Sequence, residues 1–143
     1  MDLVYLKINY IKPFYNHPKY IESLKKSILP FLNTNFDKLI FSYHGIPERH
    51  IKKSDKSKSH CLTTTNCCEI KCKSSIECYR SNVFSTSNHV ANALKLNKNQ
   101  WMISFQSRVT YIDPNWLKPY TDIELKNMPA NGIKNVAIIC PSF

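Results

Sequence analysis

The sequence predicts an α/β fold built on a parallel, four-stranded sheet flanked by helices. Three observations carry that expectation. Short stretches rich in β-branched and aromatic residues alternate with stretches whose apolar residues recur at helical spacing, in the order β-α-β-loop-α-β-α-β. That alternation belongs to parallel strands joined by right-handed crossovers. Val136 to Cys140 is an unbroken apolar run, the pattern of a strand buried on both faces. The chain has 143 residues, 43% hydrophobic and 12% aromatic, which suits one domain with its own core.

Taken in order, Leu3 to Ile11 alternates apolar and polar side chains as a strand would, and Pro13 ends it. His17-Pro18 opens a helix, with the proline in the first turn where its missing N–H costs nothing. Tyr20, Ile21, Leu24, Ile28 and Leu29 form its apolar face, and Pro30 closes it. Phe36 to Tyr43 reads as the second strand. Residues 45–77 form a long polar loop, of a length that is usually functional or disordered. Cys78 to Leu96 reads as a helix with Val83, Phe84, Val90, Ala91 and Leu94 on one face. Trp101 to Phe105 is the third strand, and Gln106 to Tyr120 is a loop. Thr121 offers an N-cap, Asp122 and Glu124 suit the positive helix end, and Gly132 a C-cap beyond Asn131. Val136 to Cys140 is the fourth strand. Three residues after a buried strand leave no covering helix, so residues 1–143 read as a single partial domain of a larger unit.

The formal net charge is +10 and the pI about 9.4. Nucleic acid, an anionic membrane surface or an acidic small molecule would answer to that charge. The lysines are spread along the chain, and the one dense run, Lys52, Lys53, Lys56 and Lys58, sits in the polar loop. No nucleic-acid partner is expected, and membrane contact stays open as a peripheral one. No apolar run approaches the ~18 residues that span a bilayer. The N-terminus lacks a basic head and long apolar block, so the expected location is the cytoplasm. Six cysteines in that setting favour metal binding or burial over a disulfide framework.

Chemistry concentrates in Phe41-Ser42-Tyr43-His44-Gly45-Ile46-Pro47-Glu48-Arg49-His50. Gly45 and Pro47 break regular structure, so His44 sits where a strand gives way to a loop. In open α/β sheets ligands bind at that carboxyl end. An imidazole there can accept a proton or hold a metal near neutral pH; capping the strand through backbone hydrogen bonds fits the position equally. Cys61, Cys67, Cys68, Cys72 and Cys78 crowd the loop. Thiolates that dense point to an iron–sulfur cluster or Zn(II), with free thiols as the plain alternative.

These residues, with Pro13-Phe14-Tyr15-Asn16-His17-Pro18, Cys78-Tyr79-Arg80, Ser104-Phe105-Gln106-Ser107-Arg108-Val109, Trp116-Leu117-Lys118-Pro119-Tyr120-Thr121-Asp122 and Cys140-Pro141-Ser142-Phe143, stand in the order found in a known family. The chain resembles ferrochelatase, which inserts Fe(II) into a porphyrin to make haem. The resemblance implies two Rossmann-like halves with a porphyrin cleft between them, this chain being most of the second. Activity would then need the missing half from a second polypeptide, and little chelatase activity is expected from this chain alone.

His44 matches the family's catalytic histidine, as base for a pyrrole proton, ligand for Fe(2+), or both. Tyr43, Gln106, Ser107, Arg108 and Trp116 match the substrate-facing set. Arg108 would meet a propionate; Trp116 would be a flat wall for the macrocycle or ordinary packing. Cys61, Cys67, Cys68 and Cys78 resemble the ligands of a [2Fe-2S] cluster, with Cys72 outside that pattern. His50 and His89 read as surface or packing residues, and Cys140 as a packing residue. The family has glycine where this chain has Thr110. The alternatives are a non-catalytic remnant of the family and a basic cysteine–metal module that binds nucleic acid.

Overall fold

The structure, a computed structural model, describes residues 7–32 and 35–141. Three strands, not four, form the sheet among these residues: β1 (Lys38–His44), β2 (Trp101–Gln106) and β3 (Val136–Ile139). All are parallel, in the order β2-β1-β3. The expected first strand falls partly outside the described residues. Its described part, 7–11, carries no strand, and Ile8, Tyr10 and Ile11 are exposed. Alternation makes a strand only where a neighbouring strand offers its free hydrogen-bonding groups.

Helix α1 (Pro18–Ile28) begins as the sequence dictates. His17 is its N-cap, with Nδ1 accepting the Lys19 N–H at 3.2 Å. A 3₁₀ turn from Leu29 to Phe31 absorbs Pro30. Two short helices, α2 (Glu48–Ser54) and α3 (Lys73–Glu77), lie within the long segment after β1, which is therefore not wholly irregular. Helix α1 and helix α4 (Tyr79–Ala93) cover one face of the sheet. There Leu39, Phe41 and Tyr43 of β1 and Ile103 and Phe105 of β2 meet Ile21, Ile28, Val83, Val90 and Ala91 in one core. Burying one side chain the size of Phe41 contributes about 1.5–3 kcal/mol.

The alternate residues point the other way. Ile40, Ser42 and His44 pair in register with Met102, Ser104 and Gln106. Helix α5 (Thr121–Asn127) lies on that face, its Thr121 hydroxyl reaching Ser42 and Ser104. Thr121 is therefore no N-cap. Tyr120 takes that position without a side-chain bond, because the threonine hydroxyl is turned into the sheet. Pro129 ends the helix early, a 3₁₀ turn follows, and Gly132 closes it in the left-handed region at φ 76°.

Strand β3 corrects a second expectation. It pairs with β1 alone in the described sheet, and Ile138 is 50% exposed, so its apolar run is not buried on both faces. Cys140, just beyond it, is exposed and not a packing residue. Among the described residues no helix is long and apolar enough to cross a membrane.

Candidate functional site at the carboxyl end of the sheet

His44 is the last residue of the middle strand, and it is exposed. Its backbone carbonyl accepts the Tyr79 hydroxyl at 2.9 Å, which ties the strand end to the first residue of α4. The ladder continues one residue further, with the Gly45 N–H donating to the Gln106 carbonyl at 2.8 Å. A Cβ on Gly45 would stand 2.8 Å from that same carbonyl oxygen and 3.6 Å from Trp116 Cε3. The obstacle is backbone, so only glycine lets the two strands close here.

The loops that leave β1 and β2 are then bound to each other. Pro47 bridges Trp116, the Leu117 N–H donates to the Ile46 carbonyl at 3.1 Å, and the Glu48 N–H to the Asn115 carbonyl at 2.9 Å. Arg49 Nε lies 2.8 Å from Asp113 Oδ2. Trp116 is 8% exposed and donates its indole N–H to the Asp113 carbonyl at 2.7 Å. Its ring packs under Gly45, where it supports the turn after His44.

Beside His44, Gln106 ends β2 and Ser107 turns the chain outward with φ 65°. That left-handed geometry falls on Ser107 and not on Thr110, so a β-branched residue in place of the family's glycine meets no positive φ. Arg108 forms a two-pronged ion pair with Asp122, Nη2 to Oδ2 at 2.8 Å, and its Cζ lies 4.2 Å from the centre of the Tyr120 ring. The hydrogen bonds from Arg108 hold the Asp122 carboxyl below its ordinary range, and Asp122 raises Arg108. Gln106, Ser107, Arg108, Thr110, Thr121 and Asp122 line a cavity of about 530 Å³. His44 lies outside that lining, one strand over.

The predicted set is thus only partly assembled. His44 and Gln106 are brought into register, and Ser107 and Arg108 join Gln106. Tyr43 is not at the site: it is 2% exposed on the opposite face, with its hydroxyl 2.9 Å from Ser87 of α4. Burial pushes that phenol well above its ordinary range. His50 and His89 are exposed.

Sequence reasoning missed the hydroxyls behind the site. Ser42 and Ser104 are fully buried, and both bond to Thr121 Oγ1, at 3.0 and 2.8 Å. Ser42 also donates to Gln106 Oε1 at 3.2 Å. The signal was present as a serine inside each of two otherwise apolar strands. The Tyr79 contact had no local signal, since it joins residues 35 positions apart.

The cysteine-bearing insert is organised around Asp55, which is 4% exposed. Its carboxylate accepts from Ser57 N–H (3.0 Å) and Oγ (2.7 Å), His60 N–H (2.9 Å), Cys61 N–H (2.8 Å) and Ser74 Oγ (2.7 Å). Those donors, Ser74 foremost, hold the carboxyl far below its ordinary range.

Cys61, Cys67 and Cys78 are buried and Cys68 half-buried. Arg80 donates to the sulfurs of Cys68 at 3.1 Å and Cys67 at 3.5 Å, and the Leu62 N–H donates to Cys67 at 3.4 Å. Burial pushes the Cys61 and Cys68 thiols up to about 12. Among the described residues no three Cys, His, Asp or Glu side chains are placed to hold one metal ion. The Cys61 thiol adjoins that of Cys78, and the Cys68 thiol that of Cys67, but no three donors among the described residues gather on one ion, so the structure lends no support to the [2Fe-2S] cluster or zinc expected at these cysteines.

The ferrochelatase family model matches residues 3–143. The chain is 37% identical over 140 residues to a ferrochelatase of Stutzerimonas stutzeri, covering 96% of this chain and 40% of that protein. It is 36% identical over 139 residues to that of Azotobacter vinelandii, with the same two coverages. It is 38% identical over 138 residues to that of Opitutus terrae, covering 96% of this chain and 39% of that protein. The chain spans about two-fifths of the length of the relatives it matches.

Proposed function

This chain belongs to the ferrochelatase family, and on that premise we propose that it forms one wall of a site where Fe(II) enters a porphyrin to give haem. Metal insertion requires two pyrrole N–H protons to leave and a hydrated cation to shed water. His44 takes up a pyrrole proton at a ring nitrogen or ligates the incoming ion. Gln106, Ser107 and Arg108 face the macrocycle, Arg108 meeting a propionate while still paired with Asp122. Trp116 backs the turn beneath it.

One observation carries this reading. An exposed imidazole ends the middle strand, with its carbonyl held by Tyr79 and the next residue restricted to glycine. The opposite wall belongs to the part of the relatives' length that this sequence does not match, and we assign it to a second polypeptide. The setting is the cytoplasm, with peripheral contact to anionic membrane favoured by the net charge of +10.

The test is metallation of protoporphyrin by Fe(II), with the purified chain alone and with a second polypeptide that carries the rest of the ferrochelatase length. The chain alone turns over negligibly, and the pair is active. His44→Ala lowers the paired rate by roughly a hundredfold or more, the lower range for losing a positioned acid or base. A paired His44→Ala rate equal to the unaltered one overturns the reading.

A further inference from the structure

Behind Gln106 lies a closed line of hydroxyls whose protons can be counted. Ser104 Oγ is 2.8 Å from Thr121 Oγ1, Thr121 Oγ1 is 3.0 Å from Ser42 Oγ, and Ser42 Oγ is 3.2 Å from Gln106 Oε1. Ser42 and Ser104 are fully buried, and Thr121 is 9% exposed, so each O–H needs an acceptor within the protein. The line can run in two directions. If Ser104 donates to Thr121, Thr121 to Ser42 and Ser42 to Gln106 Oε1, all three protons are used. If Gln106 donated inward instead, the line would end on the Ser104 O–H. That group has no further partner among the described residues. The first direction wins, because a buried hydroxyl without an acceptor is the costlier arrangement.

That direction fixes the carboxamide. Its oxygen faces the buried serine, and its NH₂ faces outward, where its one partner among the described residues is the exposed Cys140 sulfur at 4.0 Å, a weak contact. We infer that Ser104, Thr121 and Ser42 are a positioning relay for Gln106, which presents N–H donors and not its oxygen to a ligand beside His44. Such a donor selects an oxygen acceptor. On the reading proposed above, that acceptor is a carboxylate of the porphyrin. Arg108 meets a carboxylate only while it stays paired with Asp122, and the Gln106 amide adds a neutral donor turned outward beside it.

The full chain contains two glutamines, Gln100 and Gln106, so glutamine labelled with ¹⁵N at Nε gives two side-chain amide signals in solution NMR. Gln106→Glu assigns them by loss. In the unaltered chain and in Thr121→Ser, the Gln106 NH₂ has a high heteronuclear NOE, as an ordered group does. In Thr121→Val and Ser42→Ala the NOE falls and the two proton shifts move toward those of free glutamine. Should Thr121→Val fail to fold, Ser42→Ala, which removes the hydroxyl that donates to Gln106 Oε1, carries the readout alone. An ordered, unshifted Gln106 amide in the folded variants overturns the relay.

A second arm compares binding of protoporphyrin with that of its dimethyl ester. Thr121→Val lowers the preference for the free acid by roughly tenfold, the scale of one hydrogen bond to a charged group. An unchanged preference overturns the donor role. Absence of any porphyrin binding removes the proposed function, while the NMR result still decides the relay.

Discussion

The carboxyl end of the sheet and the cysteine insert adjoin in the chain but are held in opposite ways. At the sheet end the hydrogen bonds join distant segments. Ser42 reaches Thr121, Gly45 reaches Gln106, Ile46 meets Leu117 and Arg49 meets Asp113. In the insert, Asp55 gathers Ser57, His60 and Cys61 within six residues of itself, with Ser74 the longer reach. The first geometry exists only when the whole sheet is in place. The second is local, so the insert can be altered without moving His44. The two regions join at Cys78 and Tyr79, one buried with the insert's thiols and the other holding the His44 carbonyl.

The largest effect should come from the sheet. Phe41 is fully buried in the middle strand and packs edge-on against Trp101, with ring centres 5.6 Å apart. Phe41→Ala should cost about 3–5 kcal/mol and lower the Tm by roughly 10 °C or more. Hydrogen exchange then sharpens the contrast. The Gly45 and Leu117 amides, bonded across segments, should lose more protection than the His60 and Cys61 amides, bonded to Asp55. Equal losses would mean that the insert is no more local than the sheet end.

A smaller and more confined change is Gly45→Ala. The new Cβ would meet the Gln106 carbonyl at 2.8 Å, so β1 and β2 must part at their carboxyl ends. Overpacking of this kind costs about 1–3 kcal/mol. The amide signals of Gly45, Gln106 and Leu117 should shift, and those of His60 and Cys61 should stay. Proposed activity with a partner polypeptide should fall with it, since His44 is the preceding residue.

The same contrast explains what the sequence disclosed. Helix α1 was legible because Pro18, Pro30 and the Ile21–Ile28 spacing are local signals. Residues 38–44 and 101–106 were legible as strands because each is short, apolar and bounded by turn residues. The exposure of β3 was not, because an apolar run is the same string of letters at the centre or the edge of a sheet. Neither was the failure of Lys7 to Ile11 to pair, which depends on what lies beside it. At the site, His44 was marked by the break after it, whereas Tyr43 was misplaced. Adjacent strand residues face opposite ways, and Tyr43 follows Phe41 into the core. Thr121 looked like a cap because caps are local, yet its hydroxyl serves two strands. The thiols could be counted from the sequence, but their donor geometry could not.

The smallest effect separates the two regions by charge alone. Asp55→Asn keeps the size of the side chain but removes the anion that five donors address. Protection of the His60 and Cys61 amides should fall several-fold, with the Gly45 and Gln106 signals unmoved. Because the folded carboxyl is held below its unfolded value, native protein binds fewer protons than unfolded protein at low pH. The stabilisation is fully present above the ordinary carboxylate value of about 3.9, and it is lost as pH falls through the lower, folded one. Between about pH 7 and 5 the stability difference between the unaltered chain and the Asp55→Asn variant should therefore be constant. Below about pH 4 the unaltered chain should converge on the variant. The Arg108–Asp122 pair at the sheet end also has a lowered carboxyl, so the comparison of the two regions belongs above that range. There, movement of the Gly45 or Gln106 signals in Asp55→Asn equal to that of His60 and Cys61 would show the regions to be one unit.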